Sequence, residues 1–253
     1  MPSWRIHEKW GIRLLGFADR GIDKIVDEQL GHDSSRYDVE ALNEIVCNIY
    51  AKYGAEGLRY FVLHHYLDRL MDILVMAFVH HYEYYAASEA DPSKFAEDFL
   101  SEVEMMIRRD PKNLLSLFVC DLDTLLHTLR WMYPGKSRRR ARKKFEEKLK
   151  EAYEAFRCDG GLRKKLSPAV GEVVDAVTRS LPCILLDVLE EELMGEKWGP
   201  IHRALQNVLA KASSMELKGL RERSKRLSDA ERMSRFIVAL TTHLKTKCQY
   251  QCA

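Results

Sequence analysis

Apolar side chains recur at three- and four-residue steps along nearly the whole chain, the spacing of one buried helical face. Ile6, Trp10, Leu14 and Phe17 make a first stripe, and Ile22, Ile25, Val26 and Leu30 a second that Gly31 stops. Asp38 stands as the cap of a third helix, with Leu42, Ile45, Val46 and Ile49 on its buried side and Gly54 at its end. After Gly57 no Gly or Pro interrupts the chain until Pro92. The spacing therefore predicts one helix over 55–87, burying Leu63, Leu67, Leu70, Leu74 and Phe78.

Helix starts are marked as clearly as helix faces. Asp91-Pro92 and Asp110-Pro111 each set a capping carboxylate before a proline at the first helical position. A charged helix spans 138–156 and is broken by Cys158-Asp159-Gly160-Gly161. Ser167-Pro168 starts another, which Pro182 kinks or ends. A polar-rich helix follows over 201–227, and Ser228-Asp229-Ala230-Glu231 reads as a capping box for the last one. With only 13 Gly and 7 Pro to make turns, a many-stranded architecture is excluded. The expected fold is an all-α multi-helix bundle.

Composition narrows the class. At 46% hydrophobic residues the 253-residue chain has material for a core, and 31% charge speaks against a membrane protein. No apolar run reaches the length of a spanning helix, and the first residues lack the apolar stretch of a signal peptide. The expectation is a soluble, cytoplasmic protein with no membrane partner. The six cysteines form no C-x-x-C pair, so they read mostly as small core residues rather than a disulfide framework.

Charge divides the chain. Residues 1–133 carry 14 Lys and Arg against 22 Asp and Glu, a net of −8, and residues 134–253 carry 26 against 16, a net of +10. The changeover falls at Tyr133-Pro134-Gly135 and suggests an acidic helical domain over 1–133 and a basic helical subdomain over 134–253, packed as one domain or two. The basic half opens with seven positive charges in nine residues, 136–144. Arg138, Arg139, Arg140, Arg142 and Lys143 are candidates for contact with nucleic-acid phosphates. A solvated helix is the alternative, with Glu146 and Glu147 neutralising Arg142 and Lys143 from four residues away.

The candidate chemistry lies in the acidic half. His7 falls on the first helix, His32-Asp33 at the end of the second, and His64-His65 with Asp68 on the long helix. A histidine, a His-Asp doublet and a later aspartate in this order resemble the ligand set of the HD superfamily of metal-dependent phosphohydrolases, which are all-α. Trp4-Arg5-Ile6-His7-Glu8-Lys9-Trp10 looks like that family's first helix, and Leu67-Asp68-Arg69-Leu70 is similar to the run carrying its last aspartate. The resemblance covers the N-terminal half. It implies one divalent transition metal held by His7, His32, Asp33 and Asp68, with Arg36 on the substrate phosphate, and hydrolysis of a nucleotide or nucleic-acid phosphoester.

Geometry along the long helix adds detail. His65, Asp68 and Asp72 fall at steps of three and four and so share a face. His80-His81 lie fifteen residues beyond His65, roughly 22 Å along a straight helix, too far to join one centre unless the helix breaks between Tyr66 and Val79. The aromatic patch of Tyr82, Tyr84 and Tyr85 reads as packing, Asp121, Asp123 and His127 as a polar helix face, and Asp68-Arg69 allows a reading as surface charge. Two functions therefore stand. One is a metal-dependent phosphohydrolase. The other is a non-catalytic helical protein whose basic half binds nucleic acid or an acidic protein.

Overall fold

The structure is a computed structural model that describes residues 3–30, 39–88, 92–133, 135–194 and 229–251. It is an all-α, multi-helix bundle, with no strand among the described residues. Helix α1 (Trp4–Leu15) is followed by α2 (Arg20–Ile25), which runs on as a π-helical segment over Val26–Leu30. Then come α3 (Val39–Ser88), α4 (Pro92–Arg109), a 3-10 turn (Leu114–Phe118), α5 (Leu122–Met132) and a second 3-10 turn (Lys136–Arg138). The chain continues with α6 (Arg139–Cys158), α7 (Gly160–Met194) and α8 (Asp229–Gln251). No described helix is long and apolar enough to cross a membrane.

The chain forms two compact units that are interleaved in sequence. The first comprises Met1–Met71 and Met105–Arg179, the second Asp72–Glu104 and Ser180–Ala253. The charge changeover at 133–134 cuts the chain once, whereas these units follow helix packing and exchange the chain three times.

The first unit is built around α3. Gly54 breaks that helix at φ 68° and ψ −153°, a conformation costly for a side chain, and helical backbone then resumes. No second break occurs between Tyr66 and Val79, where the backbone stays helical. Leu42, Ile45, Val46 and Ile49 are buried before the break, and Leu63, Leu67 and Leu70 after it. Phe118 packs edge-on against Phe156 of α6 at 4.9 Å, and Ser167 Oγ donates to the Phe118 carbonyl at 3.3 Å. Arg59–Glu172 (2.6 Å) and Arg108–Asp175 (3.2 Å) tie α3 and α4 to α7.

In the second unit Leu74, Phe95, Phe99, Ile184, Leu185, Leu240 and Leu244 are buried. A Cys183–Cys248 disulfide links α7 to α8, and Lys245 pairs with Glu190 at 3.7 Å. The side chain of Phe78 and the 201–227 segment lie outside the described residues.

Four local expectations need correction. The disulfide joins cysteines 65 residues apart, a pairing decided by two helices lying side by side rather than by spacing along the chain. Of the remaining described cysteines, Cys47 and Cys120 are half-buried and Cys158 is exposed. Asp110-Pro111 does not open an α-helix, because Asp110 is fully buried and accepts from Arg69 and from the Lys112 N–H. Asn113 instead caps the 3-10 turn by accepting from Leu115 N–H. Finally, α7 runs through both Pro168 and Pro182. Around Pro182 the side chains Leu181, Cys183, Ile184 and Leu185 are all buried, and this packing outweighs the missing backbone donor.

Candidate metal centre

The approach of α1 to α3 is set by a glycine. A Cβ on Gly11 would stand 2.4 Å from Tyr60 Cε2, so only a residue without a side chain lets the helices come this close. One turn away on each helix, His7 meets His64. Their rings stack with centroids 4.1 Å apart and planes 5° from parallel, both buried.

Helix α2 is anchored to the same stretch of α3. Asp19 caps α2 by accepting from Gly21 N–H (2.8 Å) and takes a second hydrogen bond from Tyr53 Oη (3.0 Å). One turn on, the fully buried Asp23 accepts from Tyr60 Oη at 3.1 Å and from His64 Nδ1 at 2.7 Å. Burial first, and then the Asp23 charge, push the Tyr60 phenol far above its ordinary range, so it remains a neutral donor. Asp27 follows on the π-helical segment, with Oδ1 3.3 Å from His64 Nε2 and Oδ2 receiving Trp4 Nε1–H at 2.7 Å.

Asp68 closes the group. Its Oδ1 lies 3.2 Å from His7 Nε2 and its Oδ2 lies 3.0 Å from His64 Nε2, the latter one turn back on α3. Burial would raise the Asp68 pKa, but the two imidazoles outweigh it and hold the carboxyl well below the usual carboxylate range. Burial would likewise lower the His64 pKa, yet the carboxylates of Asp23 and Asp68 raise it to about 9.

His7, His64 and Asp68 thus each present one ligand atom within 4.8 Å of the others. The donor set fits a divalent transition ion, because imidazole nitrogen and carboxylate oxygen suit such metals. A further observation supports the fit. Nδ1 and Nε2 of His7 and Nε2 of His64 are buried, and none makes a contact aligned as a hydrogen bond, although carboxylates stand close. Buried polar atoms are nearly always paired, and here the two Nε2 atoms face Asp68 at ion-pair distance in contacts that an incoming ion would replace. Asp23 on His64 Nδ1 supplies the carboxylate that fixes the tautomer and leaves Nε2 facing the cluster.

Of the residues singled out in the sequence, the structure brings His7 and Asp68 together. His32, Asp33 and Arg36 lie outside the described residues, as do the side chains of His80, His81, Tyr82, Tyr84 and Tyr85. On α3 the cluster is carried by Tyr60, His64 and Asp68 at steps of four, while His65 packs edge-on against Phe61 at 4.7 Å and Asp72 is exposed. Arg69 is not surface charge either, being 8% exposed and paired with Asp110. Asp121 caps α5 through Thr124 N–H at 2.8 Å, and Asp123 and His127 are exposed.

Asp23, Asp27, Tyr60 and the role of His64 are not among the residues singled out in the sequence. Their signal was present as two carboxylates four apart and a Tyr–His–Asp series at steps of four. Comparison with known proteins returns no matching family model, curated protein or solved structure.

Proposed function

We propose that this chain is a metal-dependent phosphohydrolase whose single divalent ion is held by His7, His64 and Asp68. The observation that carries the reading is the convergence of two buried imidazoles and a carboxylate, with His7 Nε2 and His64 Nε2 both directed at Asp68. The ordered His7, His32-Asp33 and Asp68 resemblance supports it from the sequence. A bound ion of this kind supplies Lewis acidity and an acidified water for attack on phosphorus.

The chain's own residues divide the remaining work. Asp23 and Tyr60 orient His64. Asp27 is partly open to solvent and fixed by Trp4, which places a carboxylate to take the proton from an attacking water. His32 and Asp33 enter the reading as further ligands and Arg36 as the phosphate contact, on the resemblance alone. The substrate class is a nucleotide or nucleic-acid phosphoester.

Elemental analysis of protein purified without a histidine tag tests the centre. About one equivalent of a transition ion is expected, lost in His64→Ala and in Asp68→Ala with helical content unchanged. Hydrolysis of bis(p-nitrophenyl) phosphate by the loaded protein, absent from both variants, tests the reaction. Metal content unaffected by either substitution would overturn the site.

A further inference from the structure

The basic run at the start of α6 takes no part in the centre described above. Here the structure departs from what spacing suggests. Of the two expected four-residue pairs, only Arg142–Glu146 forms, at 3.7 Å, and Arg142 also donates to the Tyr133 carbonyl at 2.9 Å. Glu146 is shared with Arg130 at 3.2 Å. Arg142 is thereby turned inward.

The others are not. Arg138, Arg139, Arg140, Lys143 and Lys144 are exposed, and their side chains have no ion pair, hydrogen bond or ring contact among the described residues. Some exposed cations of the first unit pair with carboxylates, as in Arg20–Glu8, Arg59–Glu172 and Arg157–Glu154, and others such as Arg5 and Lys164 stand singly, whereas those at the start of α6 are clustered.

These unpaired cations form one surface. At roughly 100° per residue, Arg139, Arg140 and Lys143 point away from the buried Leu149, Ala152 and Phe156, with Lys144 at their edge. They also crowd the wrong end of a helix. The first turn of α6 holds no acidic residue and Arg138 makes no side-chain cap bond, so cations sit beside the positive end of the helix dipole. Such clustering is unfavourable in the free protein and favourable only against dense negative charge.

We propose that this outward stripe of α6 binds the phosphodiester backbone of nucleic acid. Guanidinium forks match phosphate oxygens in pairs, and Arg139 and Arg140 supply two of them on this stripe. A lipid surface is disfavoured, because among the described residues the exposed large apolar side chains (Trp4, Ile12, Tyr50, Val119 and Val238) all lie outside α6, and its own apolar face is buried. No aromatic side chain stands among the stripe residues, so binding reads phosphate rather than base. The inference does not depend on the metal centre.

Fluorescence anisotropy of the full chain with labelled 20-mers, single- and double-stranded, tests it in EDTA, which separates binding from any metal-dependent step. Binding is expected at 50 mM salt, with log affinity falling against log salt at a slope of about −3, set by three or four phosphates. Arg139→Glu with Arg140→Glu and Lys143→Glu should weaken it at least 30-fold. The neutral triple variant to Gln should flatten the slope, and Arg157→Glu should change affinity less than threefold. The single- and double-stranded arms identify the form preferred. Failure to bind either form at 50 mM salt would overturn the proposal. So would triple variants within threefold of wild type, equal retention by anionic lipid vesicles or a polyglutamate chain, or binding that appears only when metal is restored.

Discussion

Two adjacent residues of α3 lead to different kinds of buried charge. Arg69 reaches Asp110, which is fully buried and also accepts the Lys112 N–H (3.1 Å), so that pair is saturated from within the protein. Asp68, one residue earlier, faces two stacked imidazoles whose nitrogens approach it at 3.0 and 3.2 Å. The first pair is closed and fixes the loop after α4 against α3. The second group turns two imidazole nitrogens toward one carboxylate. Burial of charge alone does not mark a functional site; convergence of imidazole and carboxylate ligand atoms is what singles out the second group.

The sharpest way to separate the two is to remove one partner from the closed pair. Asp110→Ala leaves a buried guanidinium uncompensated and should cost about 3–5 kcal/mol of stability. Denaturant unfolding should show this loss while the metal bound per folded molecule stays the same. A fall in metal stoichiometry of the folded fraction would mean that the two groups are one network.

Next in size is the pH dependence of metal-stripped protein. The folded pKa of His64, about 9, lies above its unfolded value, so its contribution is fully present below about pH 6.5 and is lost as pH rises through 9. The loss should reach about 3 kcal/mol at most. Asp68 acts on the other side, its contribution present above the ordinary carboxylate range and lost in acid. Unfolding curves at pH 6, 8 and 10 check the alkaline limb. Saturation with metal should remove most of it, because a ligating imidazole is already neutral.

Smaller effects probe the support of the open group. Asp23→Asn should weaken metal affinity about 10- to 100-fold by freeing the His64 ring, with little loss of helix content. Competition against a chromophoric chelator measures this, and unchanged affinity would remove Asp23 from the centre. Gly11→Ala places a methyl against Tyr60 and should cost at least about 1 kcal/mol. Metal affinity should fall with it, since the same helix contact holds His7 against His64.

Most of the helical framework was determined by local physics and so was written in the chain. The all-α class, the break at Gly54, the unbroken run after it and the burial of Leu63, Leu67, Leu70 and Leu74 follow from periodicity and a glycine's freedom at positive φ. The α6–α7 break at Asp159-Gly160 follows from the same rules, with Asp159 accepting from Leu162 N–H at 3.0 Å. Tertiary structure decided what periodicity leaves degenerate. Histidines 64 and 65 are neighbours about 100° apart on one helix, and only the approach of α1 at Gly11 selects His64. Asp23 gains its role from Tyr60 and His64, 37 and 41 residues away. Asp110 becomes an ion-pair partner rather than a cap because Arg69 is brought to it across 41 residues. The Cys183–Cys248 link depends on α8 lying beside α7. In each case local rules fix which way a side chain can point, while what it meets depends on segments the chain brings back from far along its length.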